Sequence, residues 1–237
     1  MKRAVSQPAG YFVTSTGTGQ GKTIVSLALV HAFRQLGLKT VGLKPLETGV
    51  VDGVGEDARA LALASGDASL ASTPGLYRSI HPLAPQAAAI MDREPAPRVA
   101  DLVLAMRAPM AGADMAIVEG AGGVLVPLNK DEHIADLASE LGLPCILVAQ
   151  DVLGVLSHVL TAAECLRARG LTLDAVMLVQ TEQPPRVSRE ASNVQLLSQQ
   201  LRVPVLALPW LADPAGKMTP HLTATDWFVS LKSHNRM

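Results

Sequence analysis

The chain has 237 residues, a length suited to one large domain or two small ones. Hydrophobic residues make up 49% and charged residues 17%, enough for a full core and unlike a disordered tail. Twenty basic against 21 acidic side chains leave a net charge of -1, which excludes a general basic field for nucleic acid.

Met1-Lys2-Arg3 leads into no apolar run, so no signal peptide is expected. The longest stretch without a charge, Ala4 to Gly21, is rich in Gly, Ser and Thr and too polar to span a membrane. Six short apolar runs then read as strands: Tyr11–Thr14, Val41–Lys44, Met115–Glu119, Cys145–Ala149, Ala175–Gln180 and Val205–Leu208. They are apolar at odd and even positions alike, as parallel strands covered on both faces should be. Between them fall helical stretches at Lys22–Leu36, Glu56–Ala64, Pro97–Ala111, Glu132–Leu141, Leu156–Arg169 and Arg186–Leu201. Gly37, Gly142 and Gly170 follow three of these where a left-handed cap is wanted. The Pro82–Pro97 patch reads as a surface excursion, and the polar end 232–237 as frayed. The pattern predicts a single doubly wound α/β domain over 1–237, with a mainly parallel sheet flanked by helices. Cys145 and Cys165 form neither a CxxC pair nor a disulfide framework, which points to a reducing cytoplasm and to no structural zinc.

The first strand runs into Ser15-Thr16-Gly17-Thr18-Gly19-Gln20-Gly21-Lys22-Thr23 and then into an apolar helix. Strand, glycine-rich loop, Gly-Lys-Thr and helix is the order of a phosphate cradle of the P-loop NTPase type. Amides around Gly19, Gln20 and Gly21 would curl about phosphate oxygens, helped by the positive end of the helix. Lys22 would reach the phosphates and the Thr23 hydroxyl a magnesium ion. Thr16 stands where the common spacing has a glycine, so Gly17 and Gly19 must supply the backbone freedom.

Two further strand ends carry charge. Lys44, followed by Pro45, ends the second strand, where ligands bind such sheets. Glu119 ends the third, ahead of Gly120-Ala121-Gly122-Gly123. An acid there can complete a magnesium shell with Thr23, while the small residues let backbone approach a ligand. Asp57 alone reads as an acid stabilising a helix start.

Taken in order, these motifs resemble the dethiobiotin synthetase family over roughly Tyr11 to Leu211. The likeness rests on Gly21-Lys22-Thr23, Lys44-Pro45-Leu46-Glu47-Thr48-Gly49, Asp57, Tyr77 with Pro82 and Pro85-Gln86-Ala87-Ala88, and Val118 to Gly123 with Val126-Pro127-Leu128. Later come Ala135-Asp136-Leu137, Leu153-Gly154 with Ser157-His158, Leu160-Thr161 and Pro209-Trp210-Leu211. The resemblance implies an ATP- and magnesium-dependent ligase of biotin biosynthesis. It would close a ureido ring on 7,8-diaminopelargonate with CO2, through a carbamate and a carbamic-phosphoric anhydride. It implies that Lys22 and Lys44 neutralise phosphate and carbamate, and that Thr23, Asp57 and Glu119 hold magnesium. Thr18 and Thr48 would lie beside the diamine and carbamate. Gly154, Val155 and Ser157 would meet the substrate carboxylate of a neighbouring subunit in a homodimer. Gly120, Gly122, Gln180 and Pro209 would border the nucleotide, Gln180 in place of an asparagine that reads adenine. Ser15, Gly17, Gln86 and Ser157 depart from the family's usual glycine, aspartate, histidine and asparagine. The alternatives are a nucleotide-driven switch of the partition or septum-positioning kind, and a diverged synthetase using another diamine.

Overall fold

In a computed structural model describing residues 9–51, 53–180, 190–211 and 217–234, the six expected strands form one sheet. The chain runs β1 (Ala9–Ser15), α1 (Lys22–Gln35), β2 (Thr40–Leu43), β3 (Leu46–Thr48), α2 (Glu56–Ser65), a 3-10 turn (Ala68–Ser72) and β4 (Tyr77–Ser79). It continues α3 (Pro85–Asp92), α4 (Val99–Met110), β5 (Met115–Glu119), α5 (Ile134–Leu141), β6 (Cys145–Gln150) and α6 (Val155–Ala168). Then come β7 (Leu173–Val179), α7 (Glu190–Leu201), β8 (Val205–Leu208), α8 (Met218–Thr223) and α9 (Asp226–His234). The sheet order is β2-β5-β1-β6-β7-β8, and every neighbouring pair is parallel.

Successive strand residues point to opposite faces, so apolar residues at both parities build two cores. Phe12, Val118, Leu147 and Leu178 pack beneath α4, α5, α6 and α7. Val13, Ile117, Val148 and Met177 pack beneath α1, α8 and α9. The first helix is buried as its composition predicts, with Val25, Ala28, Leu29, Ala32 and Phe33 all sealed from solvent.

The structure departs from the sequence reading in three places. A second sheet, β3 with β4, pairs in parallel beside the main one. The Pro82–Pro97 patch is not merely a surface excursion: it contains α3, whose Pro85, Ala88 and Ala89 are buried. Among the described residues two helices follow β8, α8 and α9; of the end 232–237 expected to fray, 232–234 fall in α9 and 235–237 lie outside the described residues. The predicted start of the last helical stretch, Arg186, lies outside the described residues; α7 is described from Glu190.

An aromatic cluster ties the last helix to the sheet. Phe33 lies between Tyr11 and Phe228, at ring separations of 6.2 and 5.4 Å, and Trp227 meets Tyr11 edge-on at 5.8 Å. Trp227 Nε1 donates to Asp174 Oδ2 at 2.9 Å, satisfying the indole where it is buried. Phe228 is wholly buried, so Phe228→Ala should lower unfolding free energy by about 3–5 kcal/mol. An unchanged urea midpoint would show that α9 contributes nothing to the core.

Candidate functional site

Register brings three strand ends abreast. Leu43 pairs with Val118 and Val13 with Glu119, so Lys44, one residue beyond β2, comes level with Glu119. β1 continues past Glu119 into the glycine-rich loop. This is the crevice outside the carboxyl ends of the strands. From β1 the order runs to β5 and β2 on one side and to β6, β7 and β8 on the other.

Lys44 Nζ is enclosed there. It donates to Glu119 Oε1 at 2.6 Å, to Asp57 Oδ2 at 2.8 Å and to the Gly120 carbonyl at 3.3 Å. Lys44 is 5% exposed and Glu119 fully buried. Thr23 Oγ1 lies 3.0 Å from both Asp57 Oδ1 and Glu119 Oε1, sharing one proton between two carboxylates. Glu119 Oε2 is buried and has no hydrogen-bond partner among the described residues.

α1 begins beside this cluster with no side-chain cap and no acid in its first turn, leaving its leading amides open to an anion. Gly21 enters the helix at φ 91°, and a Cβ there would also crowd Val179. Lys22 Nζ lies back over the loop, donating to Ser15 Oγ at 3.1 Å and the Gly17 carbonyl at 3.4 Å. Ser15 Oγ in turn reaches the carbonyls of Gly17 at 2.6 Å and Gly122 at 2.9 Å, bridging the loop to the turn after β5.

The two lysines differ electrostatically. Burial, with Lys44 nearby, lowers Lys22 from its usual 10.5 to about 8, against the pull of Glu119 and Asp57. Burial would depress Lys44 too, but the carboxylates of Glu119 and Asp57 more than reverse this and hold its ammonium above the usual lysine range. Asp57 experiences the converse: burial favours its acid form, and the Lys44 ammonium overrides it, keeping the carboxyl below the ordinary aspartate value.

The resulting cleft encloses about 710 Å³. It gathers Thr18, Gly19, Gln20, Gly21, Lys22, Thr23, Lys44, Thr48, Asp57, Glu119 and Gly122 from the expected residues. Gly120 does not line it; its N–H is bonded to the Val13 carbonyl at 3.0 Å. Gln180 and Pro209 follow β7 and β8 outside the cleft, where Gln180 Oε1 accepts the Trp210 N–H at 3.3 Å. Gly154 and Ser157 are exposed at the start of α6 and Val155 is buried; none of the three lines this chain's own cleft.

Three contributors carry no sequence signal of their own. Gln150 Nε2 donates to the Gly19 carbonyl at 2.7 Å, and its N–H to Gln20 Oε1 at 2.9 Å, tying β6 to the phosphate loop. Arg78 Nη2 donates to the Lys44 carbonyl at 3.0 Å. Glu47 accepts the backbone N–H groups of Asp57 and Ala58, each at 3.0 Å.

A family model described as an AAA domain matches residues 9–217. The chain is similar to the ATP-dependent dethiobiotin synthetase BioD of Anaeromyxobacter dehalogenans, at 43% identity over 211 residues, covering 88% of this chain and 93% of the relative. The corresponding protein of Nitrosospira multiformis is 39% identical over 202 residues, 84% of this chain and 87% of the relative. That of Caulobacter vibrioides is 36% identical over 198 residues, 81% and 89% of the two chains. Among solved structures, the septum site-determining protein MinD complexed with Mg-ADP from Pyrococcus horikoshii aligns with a TM-score of 0.56 over 96% of each chain. At 18% identity that likeness shows the fold alone.

The Lys22 environment makes a stability prediction. Between about pH 8 and 10.5 the unfolded chain retains a proton that the folded chain has released, so the Lys22 contribution to stability rises with pH there. The stability of Lys22→Met relative to wild type in urea unfolding should therefore fall from about pH 7 to about pH 10. A constant difference would contradict the lowered lysine.

Proposed function

The chain belongs to the ATP-dependent dethiobiotin synthetase family, and we propose that it closes the ureido ring of dethiobiotin from 7,8-diaminopelargonate, CO2 and ATP. The family is one of ligases, and this chain is an ATP-dependent ligase of biotin biosynthesis. The observation that carries the finer reading is the buried Lys44 ammonium beside the phosphate loop, between Glu119 and Asp57.

One amine of the diamine adds to CO2 and gives up a proton, forming a carbamate. A carbamate oxygen takes the terminal phosphoryl group of ATP and ADP departs. The second amine then attacks the carbamoyl carbon and gives up a proton as phosphate is expelled and the ring closes. None of these steps needs a protein nucleophile, and burial pushes the Cys145 thiol up to about 12, far from the reactive range. The protein's work is placement and charge stabilisation. The open amides of α1 and Lys22 hold the polyphosphate, and Lys44 stabilises charge on the carbamate and the moving phosphoryl group. Thr18 and Thr48, both on the cleft wall, orient the diamine and carbamate.

The residues suit a magnesium ion. Thr23, Asp57 and Glu119 offer hard oxygen donors, with the Thr23 hydroxyl 3.0 Å from each carboxylate, and Glu119 keeps one buried oxygen unpartnered among the described residues. Among the described residues no group of three or more His, Cys, Asp or Glu could hold a metal alone. Magnesium fits such a place, since it takes one or two carboxylates and fills its shell with phosphate and water. When bound it would neutralise charge on the polyphosphate.

The exposed start of α6 supports a homodimer. Leu153 is 89% exposed beside Gly154 and Ser157, an arrangement suited to completing a partner's cleft. Gln180 and Pro209, at the ends of β7 and β8, are assigned to the adenine. No helix of the described residues is long and apolar enough to cross a membrane, and both cysteines are free, which supports a cytoplasmic setting.

ADP release tests the reading. It should require 7,8-diaminopelargonate and bicarbonate together and fall to background when either is withheld. Lys44→Ala should lose about 100-fold in turnover while binding ADP nearly as well as wild type. Release indifferent to the diamine would instead favour a nucleotide switch, and release with a different diamine a diverged synthetase.

A further inference from the structure

Glu47 stands outside every role assigned above, although it borders the cleft. α2 begins after Gly55, which has no side chain with which to cap it. The missing cap comes from a different element. Glu47, on β3, directs Oε1 to the Asp57 N–H and Oε2 to the Ala58 N–H, each at 3.0 Å. Two oxygens on two successive amides fix both the position and the rotation of the helix start, with the helix dipole adding to each bond. Gly55 is shaped for this arrangement, because a Cβ there would overlap the Glu47 carboxylate.

The clamped residue is the one that matters. Asp57 donates its N–H to Glu47, and its two carboxylate oxygens accept from Thr23 and Lys44. Glu47 pairs across the small sheet with Arg78, whose guanidinium grips the Lys44 carbonyl. Two adjacent side chains of that sheet therefore hold the backbones of Asp57 and Lys44, whose own side chains meet at 2.8 Å. With both oxygens committed to amides, Glu47 is poorly placed to serve as a further metal ligand.

We infer that Glu47 is a positioning residue that sets the Asp57 carboxylate for the metal and for Lys44, acting through the backbone of α2. The inference rests on the reading in which Asp57 holds magnesium.

Calorimetric titration of ADP into the full-length protein, with magnesium and with chelator, separates the possibilities. The proteins are wild type, Glu47→Ala, Glu47→Gln, Asp57→Asn and the double variant Glu47→Ala with Asp57→Asn. ADP affinity in chelator should stay within about twofold throughout, while the gain conferred by magnesium falls about tenfold in Glu47→Ala and in Asp57→Asn. The double variant should lose no more than Asp57→Asn alone, because both changes act on one carboxylate. Glu47→Gln, which keeps one acceptor, should lose part of the gain, and it carries the cycle if Glu47→Ala does not fold. A full magnesium gain in both Glu47 variants, or losses that multiply in the double variant, would overturn the inference while leaving the metal reading intact. A full gain in Asp57→Asn would remove the metal reading and this inference with it.

Discussion

One ammonium sealed between two carboxylates governs this molecule. Lys44, Glu119 and Asp57 come from an edge strand, an inner strand and a helix start, and they meet within 2.6 to 2.8 Å. Neither Lys44 nor Glu119 would be tolerable there alone, because burial of an ion without a partner is costly, whereas Asp57 remains partly exposed. Their coexistence depends on register: a one-residue slip of β2 against β5 would move Lys44 out of line with Glu119. The stability of the sheet edge and the readiness of the site are thus the same interaction.

The phosphate loop has the opposite character. Its helix start is uncapped, and its lysine is lowered in pKa by burial and by a second lysine. Both conditions are unfavourable in the protein by itself, and both are relieved by a polyanion. A polyphosphate would satisfy the leading amides of α1 and raise the Lys22 pKa back toward its ordinary value. Unmet demand at the loop and mutual satisfaction among the acids fit a site whose cradle is open to a polyanion while its charged neighbours are held beside it.

Much of this was legible in the sequence because its signals are local. A buried parallel strand need only be apolar at both parities, as Met115-Ala116-Ile117-Val118 is, and the loop before Lys22 declares itself by its flanks. Lys44 and Glu119 could be read as strand-end charges, although their meeting is a matter of sheet order. Asp57 shows the limit of local reasoning. As a helix-start acid it fits its place in α2, and its second engagement, with Lys44 and Thr23, appears only in three dimensions. β3 and β4, three residues each, are too short to show a period of two. Glu47 left no trace beyond its motif, because the amides it caps belong to a helix start ten residues away.

The most direct test is a crystal structure of the protein with magnesium and a non-hydrolysable ATP analogue. Lys44 Nζ should lie within hydrogen-bonding distance of the terminal phosphate, with oxygens of Thr23, Asp57 and Glu119 turned toward the metal. A terminal phosphate that the side chains of Lys44 and Glu119 both face away from would contradict this arrangement.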